Sequence, residues 1–187
     1  MLDCVTGKES TTHINMMMSM FSGDFTKGTF YPKNIDKCLN YNGKLPGAKP
    51  VTYRSSWELK VCNFCDRKEN VLEWGSEVIT LPYINENDNK KHNYTPDFKI
   101  TIRDRKGNII TYICEVKPAS QSEKFDEMGV LIMPKAPKRM TQKSVAKWQE
   151  RCDVVRMNHS KWVFAREMCK KEGYTFKILT EKELGIM

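Results

Sequence analysis

Three charged residues lie at the ends of two segments that are typical of neighbouring β-strands. The stretch YTPDFKITIRDRKGNIITYICEVKP covers residues 94–118, and the polar residues RKGN separate its two apolar segments. Asp97 lies near the start of the first segment, and Glu115 and Lys117 lie at the end of the second. If the two strands pair, two carboxylates and one ammonium group meet at one edge of a sheet.

Such a group of side chains has a specific chemistry. Two converging carboxylates suit a hard cation such as Mg²⁺, which prefers oxygen ligands. A bound metal ion lowers the pKa of water and neutralises charge on a phosphate oxygen, and a nearby lysine orients a nucleophile or stabilises transition-state charge. The residues therefore indicate phosphodiester hydrolysis. The spacing alone also fits a buried salt bridge of Lys117 with Asp97 or Glu115, and this alternative stays open.

The second strand itself makes the charged end unusual. Side chains alternate between the two faces of a strand, so Glu115 and Lys117 continue the face that begins with Ile109 and Ile113. The opposite face is largely apolar, which is typical of a strand inside a sheet. A carboxylate and a lysine at the end of such a strand are costly unless they have partners or a task.

The surrounding pattern predicts a mixed α/β domain. Residues 55–69 are predicted to form a helix with an apolar stripe of Trp57, Val61, Phe64 and Cys65, and Ser55 with Glu58 fits a capping box at its start. Further predictions are strands over 71–74, 77–84 and 174–180, a polar loop over 85–93, a proline-containing loop over 118–140, helices over 141–155 and 158–171, and a short terminal helix from Thr180.

Composition limits the class of protein. The 187 residues suffice for one domain, predicted over 51–187, preceded by an irregular N-terminal extension over 1–50. No apolar run reaches the length of a membrane span, and the Met-rich segment 14–21 lacks a signal-cleavage pattern, so neither a membrane partner nor secretion is expected. Seven cysteines, an odd number, are expected to stay reduced.

The positive charge is concentrated towards the C-terminus. The net charge is +8, and residues 130–187 contain 13 Lys or Arg against 6 Asp or Glu. This distribution fits a nucleic-acid-binding surface and equally a solvated basic face. Histidine- or cysteine-centred metal chemistry is not expected, because His13, His92 and His159 are isolated and Cys62 with Cys65 lacks a second CxxC pair.

Several segments resemble one known family. PDF (96–98) followed by EVK (115–117) resembles the PD-(D/E)xK nuclease motif, a degenerate pattern by itself. The flanking segments are more specific, and together they resemble the head completion nucleases of tailed bacteriophages, relatives of the endonuclease subunit of heteromeric transposases. The resemblance covers about residues 30–184, and its segments are YRSSWE (53–58), VLEWGSE (71–77), LPY (81–83), YTPDF (94–98), EVKPASQ (115–121), NHSKWVFARE (158–167) and GYTFKILTEKEL (173–184).

The resemblance implies a fold and a set of site residues. The implied fold is a restriction-endonuclease-like α/β core, with a mixed sheet flanked by helices. Asp97, Glu115 and the backbone carbonyl of Val116 would bind Mg²⁺, for which Mn²⁺ would substitute, and Lys117 would assist catalysis. Glu58 would complete the catalytic site and the metal site, although the capping box explains the same residue, and Glu77 is interpreted as structural. Candidate DNA contacts are Gln121, Lys135, Lys138, Arg139, Lys161 and Arg166, and a salt-bridged helix surface is the alternative for the last two.

The implied function is metal-dependent cleavage of double-stranded DNA in capsid maturation, after DNA packaging and before tail attachment. The partners would be DNA and portal or neck proteins of the phage head, and the location would be the host bacterial cytoplasm and the head-neck region of the virion. Two alternatives stay open. One is a non-catalytic head-neck plug or adaptor that retains a nuclease fold, and the other is a transposase-type or restriction-type DNA strand cleaver.

Overall fold

Five consecutive strands separate the two α-helices within residues 27–185. In the computed structural model, which describes residues 27–185, the elements follow in the order β1 (Gly28–Thr29), a 3-10 helix (Ile35–Lys37), β2 (Thr52–Tyr53), α1 (Ser56–Arg67), β3 (Val71–Ser76), β4 (Leu81–Asn85), β5 (Lys90–Tyr94), β6 (Phe98–Arg103), β7 (Ile109–Val116), α2 (Gln142–Lys171) and β8 (Thr175–Leu179). The predictions for residues 1–26, including the Met-rich segment and His13, lie outside the described residues.

Four strands form the central sheet in the order β3-β6-β7-β8. The pairs β3–β6 and β6–β7 are antiparallel, and β7–β8 is parallel. Five consecutive residues at the end of β7, Tyr112–Val116, are buried, because neighbours cover both faces of this strand. The predicted mixed sheet flanked by helices is confirmed, and its charged edge is the end of an interior strand.

The two helices cover opposite faces of the sheet. α1 begins at the predicted cap and buries Val61, Cys62 and Cys65 in the core that contains Trp74 and Phe98. α2 packs on β4 and β8, where Trp162 and Ala165 contact a cluster with Tyr83 and Tyr94. Burial of these apolar stripes supplies most of the stability of such a layered domain. No helix within residues 27–185 is long and apolar enough to cross a membrane.

The described part of the predicted extension packs against this core. Cys38 and Leu39 are buried, and the amide of Leu39 donates a hydrogen bond of 2.8 Å to the carbonyl of Trp74. The buried carboxylate of Asp66 in α1 accepts hydrogen bonds from the amides of Lys33 and Asn34. Residues 27–50 are therefore an irregular segment that lies on the domain, and a division of the chain at residue 50 stays a prediction.

Four local predictions were wrong. The predicted loop 85–93 contains most of β5, which pairs with β4. The strand predicted from residue 77 begins only at Leu81, since Glu77 has a φ of 53°. One helix replaces the two predicted over 141–171, and within it the hydroxyl of Ser160 donates to the carbonyl of Arg156, one turn earlier. The segment after Thr180 forms turns rather than a helix.

Candidate active site

Strand register brings the two predicted carboxylates together. Phe98 pairs with Cys114 in the antiparallel β6–β7 ladder, so Asp97 and Glu115 are next in register, one residue farther along. The Asp97 carboxylate accepts a hydrogen bond of 2.7 Å from the amide of Val116 through Oδ2. The start of β6 is thereby fastened to the end of β7, and the predicted convergence of Asp97 and Glu115 is present.

The carboxylate of Glu115 is buried and bound on both oxygens. Its Oε2 accepts a hydrogen bond of 2.7 Å from the hydroxyl of Tyr94, and its Oε1 lies 3.3 Å from Nζ of Lys117. Only 7% of Glu115 is exposed, whereas about a third of the Lys117 side chain is accessible. The salt bridge that the spacing left open therefore exists, and it lies beside Asp97 rather than apart from it.

The electrostatics of Asp97 reflect this crowding. Burial, followed by the negative charge of Glu115, raises the pKa of Asp97 from 3.8 to about 7. The Val116 hydrogen bond and the positive charge of Lys117 act in the opposite direction, but they do not offset it. Two carboxylates that repel each other in a partly buried site favour the binding of a cation between them.

The donor atoms fit a hard divalent cation. Oδ1 of Asp97 receives no hydrogen bond from residues 27–185, and the Glu115 oxygens keep lone pairs beyond the single contact that each makes. Oxygen ligands of this kind are those that Mg²⁺ prefers. In the same residue range, no three His, Cys, Asp or Glu side chains are grouped to hold a metal ion. The candidate centre thus has two carboxylates, those of Asp97 and Glu115, with no third such side chain grouped beside them within residues 27–185, and Val116 stays a predicted carbonyl ligand.

Glu58 makes its hydrogen bonds at the start of α1. Its carboxylate accepts hydrogen bonds from the amide of Arg54 at 2.7 Å and from the hydroxyl of Ser55 at 3.1 Å, while its own amide donates to Ser55. Ser55 is thus the predicted N-cap of α1, but the reciprocal bond of the predicted capping box is shifted by one residue, because Glu58 accepts from the amide of Arg54 rather than from that of Ser55. The negative charge of Glu58 also contributes to the raised pKa of Asp97, after burial and the charge of Glu115. Its part in metal binding stays a prediction.

A second acidic side chain supports the site from the β3 side. The amide of Glu77 donates a hydrogen bond of 3.0 Å to the carbonyl of Asp97, and its carboxylate forms an ion pair with Arg54 at 2.5 Å. The hydrogen bond with Glu77 is the main cause that raises the pKa of Arg54, and the negative charges of Glu77, Glu58 and Asp97 act in the same direction. Glu77 thus holds the backbone of Asp97 and neutralises the neighbouring arginine, in line with the structural role predicted for it.

Two contributions were not visible in the sequence. Tyr94 was part of a segment predicted as loop followed by strand, and its hydroxyl contact with Glu115 depends on β5, which was missed. Lys161 was predicted as a contact for DNA on a helix surface. Its Nζ lies over the rings of Tyr83 and Tyr94, 6.0 and 5.9 Å from their centroids, on the side of the sheet that carries Glu115, a position that the sequence did not predict.

The remaining candidate DNA contacts fall into two groups. Arg166 forms an ion pair with Glu123, which also contacts His159, so the salt-bridge alternative applies to this arginine. Gln121 is exposed in the turn after Lys117, where its amide donates to the carbonyl of Pro118. The three cations of the loop 118–140 that were predicted to contact DNA are exposed and form no ion pairs within the described part of the chain; they are Lys135, Lys138 and Arg139.

Comparison with known proteins gives two matches and one negative result. Residues 68–181 match the family model described as TnsA-like endonuclease N terminal. The chain is also similar to the head completion nuclease of Enterobacteria phage T4, with 30% identity over 157 residues, which cover 84% of this chain and 92% of the relative. No solved structure matches.

Proposed function

Because the chain belongs to the TnsA-like endonuclease family, we propose that it is a metal-dependent DNA endonuclease that acts in phage head completion. The observation that carries this proposal is the meeting of Asp97, Glu115 and Lys117 at the adjacent ends of β6 and β7. These are the residue types that metal-assisted hydrolysis of a phosphodiester needs, in a site that water reaches through the partly exposed Asp97 and Lys117.

Each residue has a defined task in the proposed reaction. Asp97 and Glu115 would hold Mg²⁺, with the Val116 carbonyl and Glu58 as further ligands, and Mn²⁺ would substitute. When bound, the metal ion supplies Lewis acidity at the phosphate and lowers the pKa of water. The ammonium of Lys117, held by Glu115, would orient the attacking water and offset the charge that develops on the phosphate. The hydroxyl of Tyr94 would keep Glu115 in its ligating orientation.

The proposed place of action follows from the relative rather than from the residues. The phage T4 relative is named a head completion nuclease. We therefore propose that this chain cuts double-stranded DNA at the head after packaging and before tail attachment. Its partners would be the portal or neck proteins, in the cytoplasm of the host bacterium and in the head-neck region of the virion.

A cleavage assay with closed circular and linear duplex DNA tests the proposal. Full-length wild type is compared with Asp97→Asn and Lys117→Met, each with Mg²⁺, Mn²⁺ or chelator. Wild type should open circular DNA only when metal is present, and each variant should be slower by about two orders of magnitude or more. Asp36→Asn is the matched control, because it removes the same charge at an exposed position of the 3-10 helix.

The outcomes separate the alternatives. Intact DNA with wild type and metal would contradict the nuclease proposal and favour a plug or adaptor role in the head. Equal cleavage by wild type and both variants would show that the catalytic residues are misassigned. A complementation test with Asp97→Asn in a phage that lacks this gene then shows whether head completion depends on cleavage.

A further inference from the structure

Lys161 lies in the candidate active site, although it is far from the motif in sequence. It projects from α2, and its Nζ lies 6.0 Å from the ring centroid of Tyr83 and 5.9 Å from that of Tyr94. The hydroxyl of Tyr94 donates to Glu115, so only one side chain separates the Lys161 ammonium from the catalytic carboxylate. Both tyrosines are buried, which fixes the platform on which the ammonium lies.

Among the residues that the structure describes, Lys161 lacks the acidic partner that a half-buried structural lysine usually has. Its side chain is half-buried, yet none of the ion pairs formed within residues 27–185 includes it. Burial lowers the pKa of Lys161, and the charges of Glu115 and Lys117 act on this pKa in opposite directions. The position of the ammonium over the ring of Tyr94, whose hydroxyl binds Glu115, places it on the same side of the sheet as that pair. Contacts with aromatic faces compensate part of the desolvation but provide no counter-anion.

The distribution of charge around Lys161 favours the binding of a phosphate by its ammonium. Lys117 is already neutralised by Glu115, and Arg54 by Glu77. Asp97 and Glu58 leave the cleft negative, and a DNA phosphate is an anion that such a cleft would repel. A cation without a carboxylate partner at the wall of the cleft provides the attraction that a phosphate needs.

We infer that Lys161 is a second active-site lysine, which contacts a backbone phosphate of the DNA through its tyrosine-supported ammonium and positions that phosphate against Asp97, Glu115 and Lys117. This inference rests on the proposed nuclease function and adds a residue to its site. Lys117 and Lys161 then have different tasks: the first serves the attacking water, and the second holds the substrate.

The test uses full-length protein and a short duplex DNA. Lys161→Met keeps most of the aliphatic stem on Tyr83 and Tyr94 but removes the charge, and Lys161→Arg retains it. Lys170→Met is the matched control, because Lys170 is exposed in the last turn of the same helix. Binding is measured over a range of salt concentrations in chelator, cleavage is measured in Mg²⁺ at increasing protein concentration, and thermal unfolding checks the fold.

The expected result distinguishes substrate binding from a structural role. Lys161→Met should weaken DNA binding roughly tenfold and reduce the slope of log affinity against log salt by about one. In cleavage, the half-saturating protein concentration should rise more than the maximal rate falls, and Lys161→Arg should restore most of both. A purely structural lysine would change thermal unfolding without changing the salt slope.

The failure of this inference differs from the failure of the nuclease proposal. If Lys161→Met matches Lys170→Met in affinity, salt slope and half-saturation, Lys161 does not hold a phosphate and the inference is overturned. A different result is that neither the wild type nor any variant cuts DNA, while Lys161→Met still binds DNA more weakly and with a smaller salt slope. The phosphate contact of Lys161 is then supported, and the nuclease proposal is contradicted.

Discussion

The hydroxyl of Tyr94, at the end of β5, donates a hydrogen bond of 2.7 Å to Oε2 of Glu115, at the end of β7. These strands belong to different sheets, so the bond joins the β4–β5 hairpin to the central sheet at the candidate active site. Glu115 is thereby oriented from one side by Tyr94 and from the other by Lys117. A ligand held on both oxygens is preorganised, and its orientation depends on both partners.

Tyr94→Phe should raise the Mg²⁺ concentration needed for cleavage and leave the protein folded. The variant leaves a buried carboxylate oxygen without its donor, which should lower the free energy of unfolding by about 1–3 kcal/mol. The Mg²⁺ concentration for half-maximal cleavage should rise roughly tenfold or more. Tyr83→Phe is the control, because the Tyr83 hydroxyl has no hydrogen bond within the described residues although the ring is equally buried. Equal metal requirements in the two variants would contradict the positioning role of Tyr94.

Asp97→Asn should stabilise the metal-free protein while it abolishes cleavage. Burial and the Glu115 charge raise the pKa of Asp97 from 3.8 to about 7, so ionised Asp97 destabilises the folded state. Asparagine keeps an acceptor for the Val116 amide but carries no charge. At pH 8 in chelator, the free energy of unfolding should rise by about 2–4 kcal/mol, measured by urea denaturation.

The sign of the pH dependence checks this explanation. A carboxyl group whose folded-state pKa is raised binds its proton more tightly in the folded protein, so its contribution to stability is lost as pH rises from 3.8 to about 7. The difference between Asp97→Asn and wild type should therefore be small at pH 4 and largest above pH 7. A difference that does not depend on pH would mean that charge repulsion is not its cause.

Ser55→Ala and Glu58→Gln should distinguish the contribution of the helix cap to stability from the contribution of the Glu58 charge to cleavage. Ser55 is the N-cap of α1, and its hydroxyl oxygen accepts a hydrogen bond of 3.1 Å from the amide of Glu58. Ser55→Ala removes this bond and should lower the free energy of unfolding by about 1 kcal/mol. The maximal rate of cleavage should be retained. Glu58→Gln keeps an acceptor for the Arg54 amide but removes the charge near Asp97. It should reduce cleavage at least tenfold, with a stability change smaller than that of Ser55→Ala. Full activity of Glu58→Gln would restrict Glu58 to its hydrogen bonds with Arg54 and Ser55 at the start of α1.

The sequence predicted the part of the site that depends on local periodicity. Alternation in the strand 109–117 placed Glu115 at the end of an interior strand, and the short β6–β7 turn brought Asp97 beside it. Tyr94 could not be assigned, because the polar residues of β5 resemble a loop until β4 provides hydrogen-bond partners. Lys161 was predicted as a DNA contact, but its place beside Tyr94 could not be predicted, since it depends on the packing of α2 against that hairpin. Contacts between residues that are far apart in the sequence leave no periodic pattern from which they could be predicted.

The proline-containing loop should bind DNA through its exposed cations. Simultaneous Lys135→Gln, Lys138→Gln and Arg139→Gln should reduce the slope of log affinity against log salt by about two to three, because phosphate contacts release counterions. The control removes three cations at the opposite end of the β6–β7 pair, with Arg103→Gln, Arg105→Gln and Lys106→Gln. Affinity is measured by fluorescence anisotropy with a labelled duplex, beside thermal unfolding of both triple variants. Similar slopes for the two would show that the loop adds only general positive charge. A loss confined to the loop variant would identify the loop as a part of the chain that binds DNA.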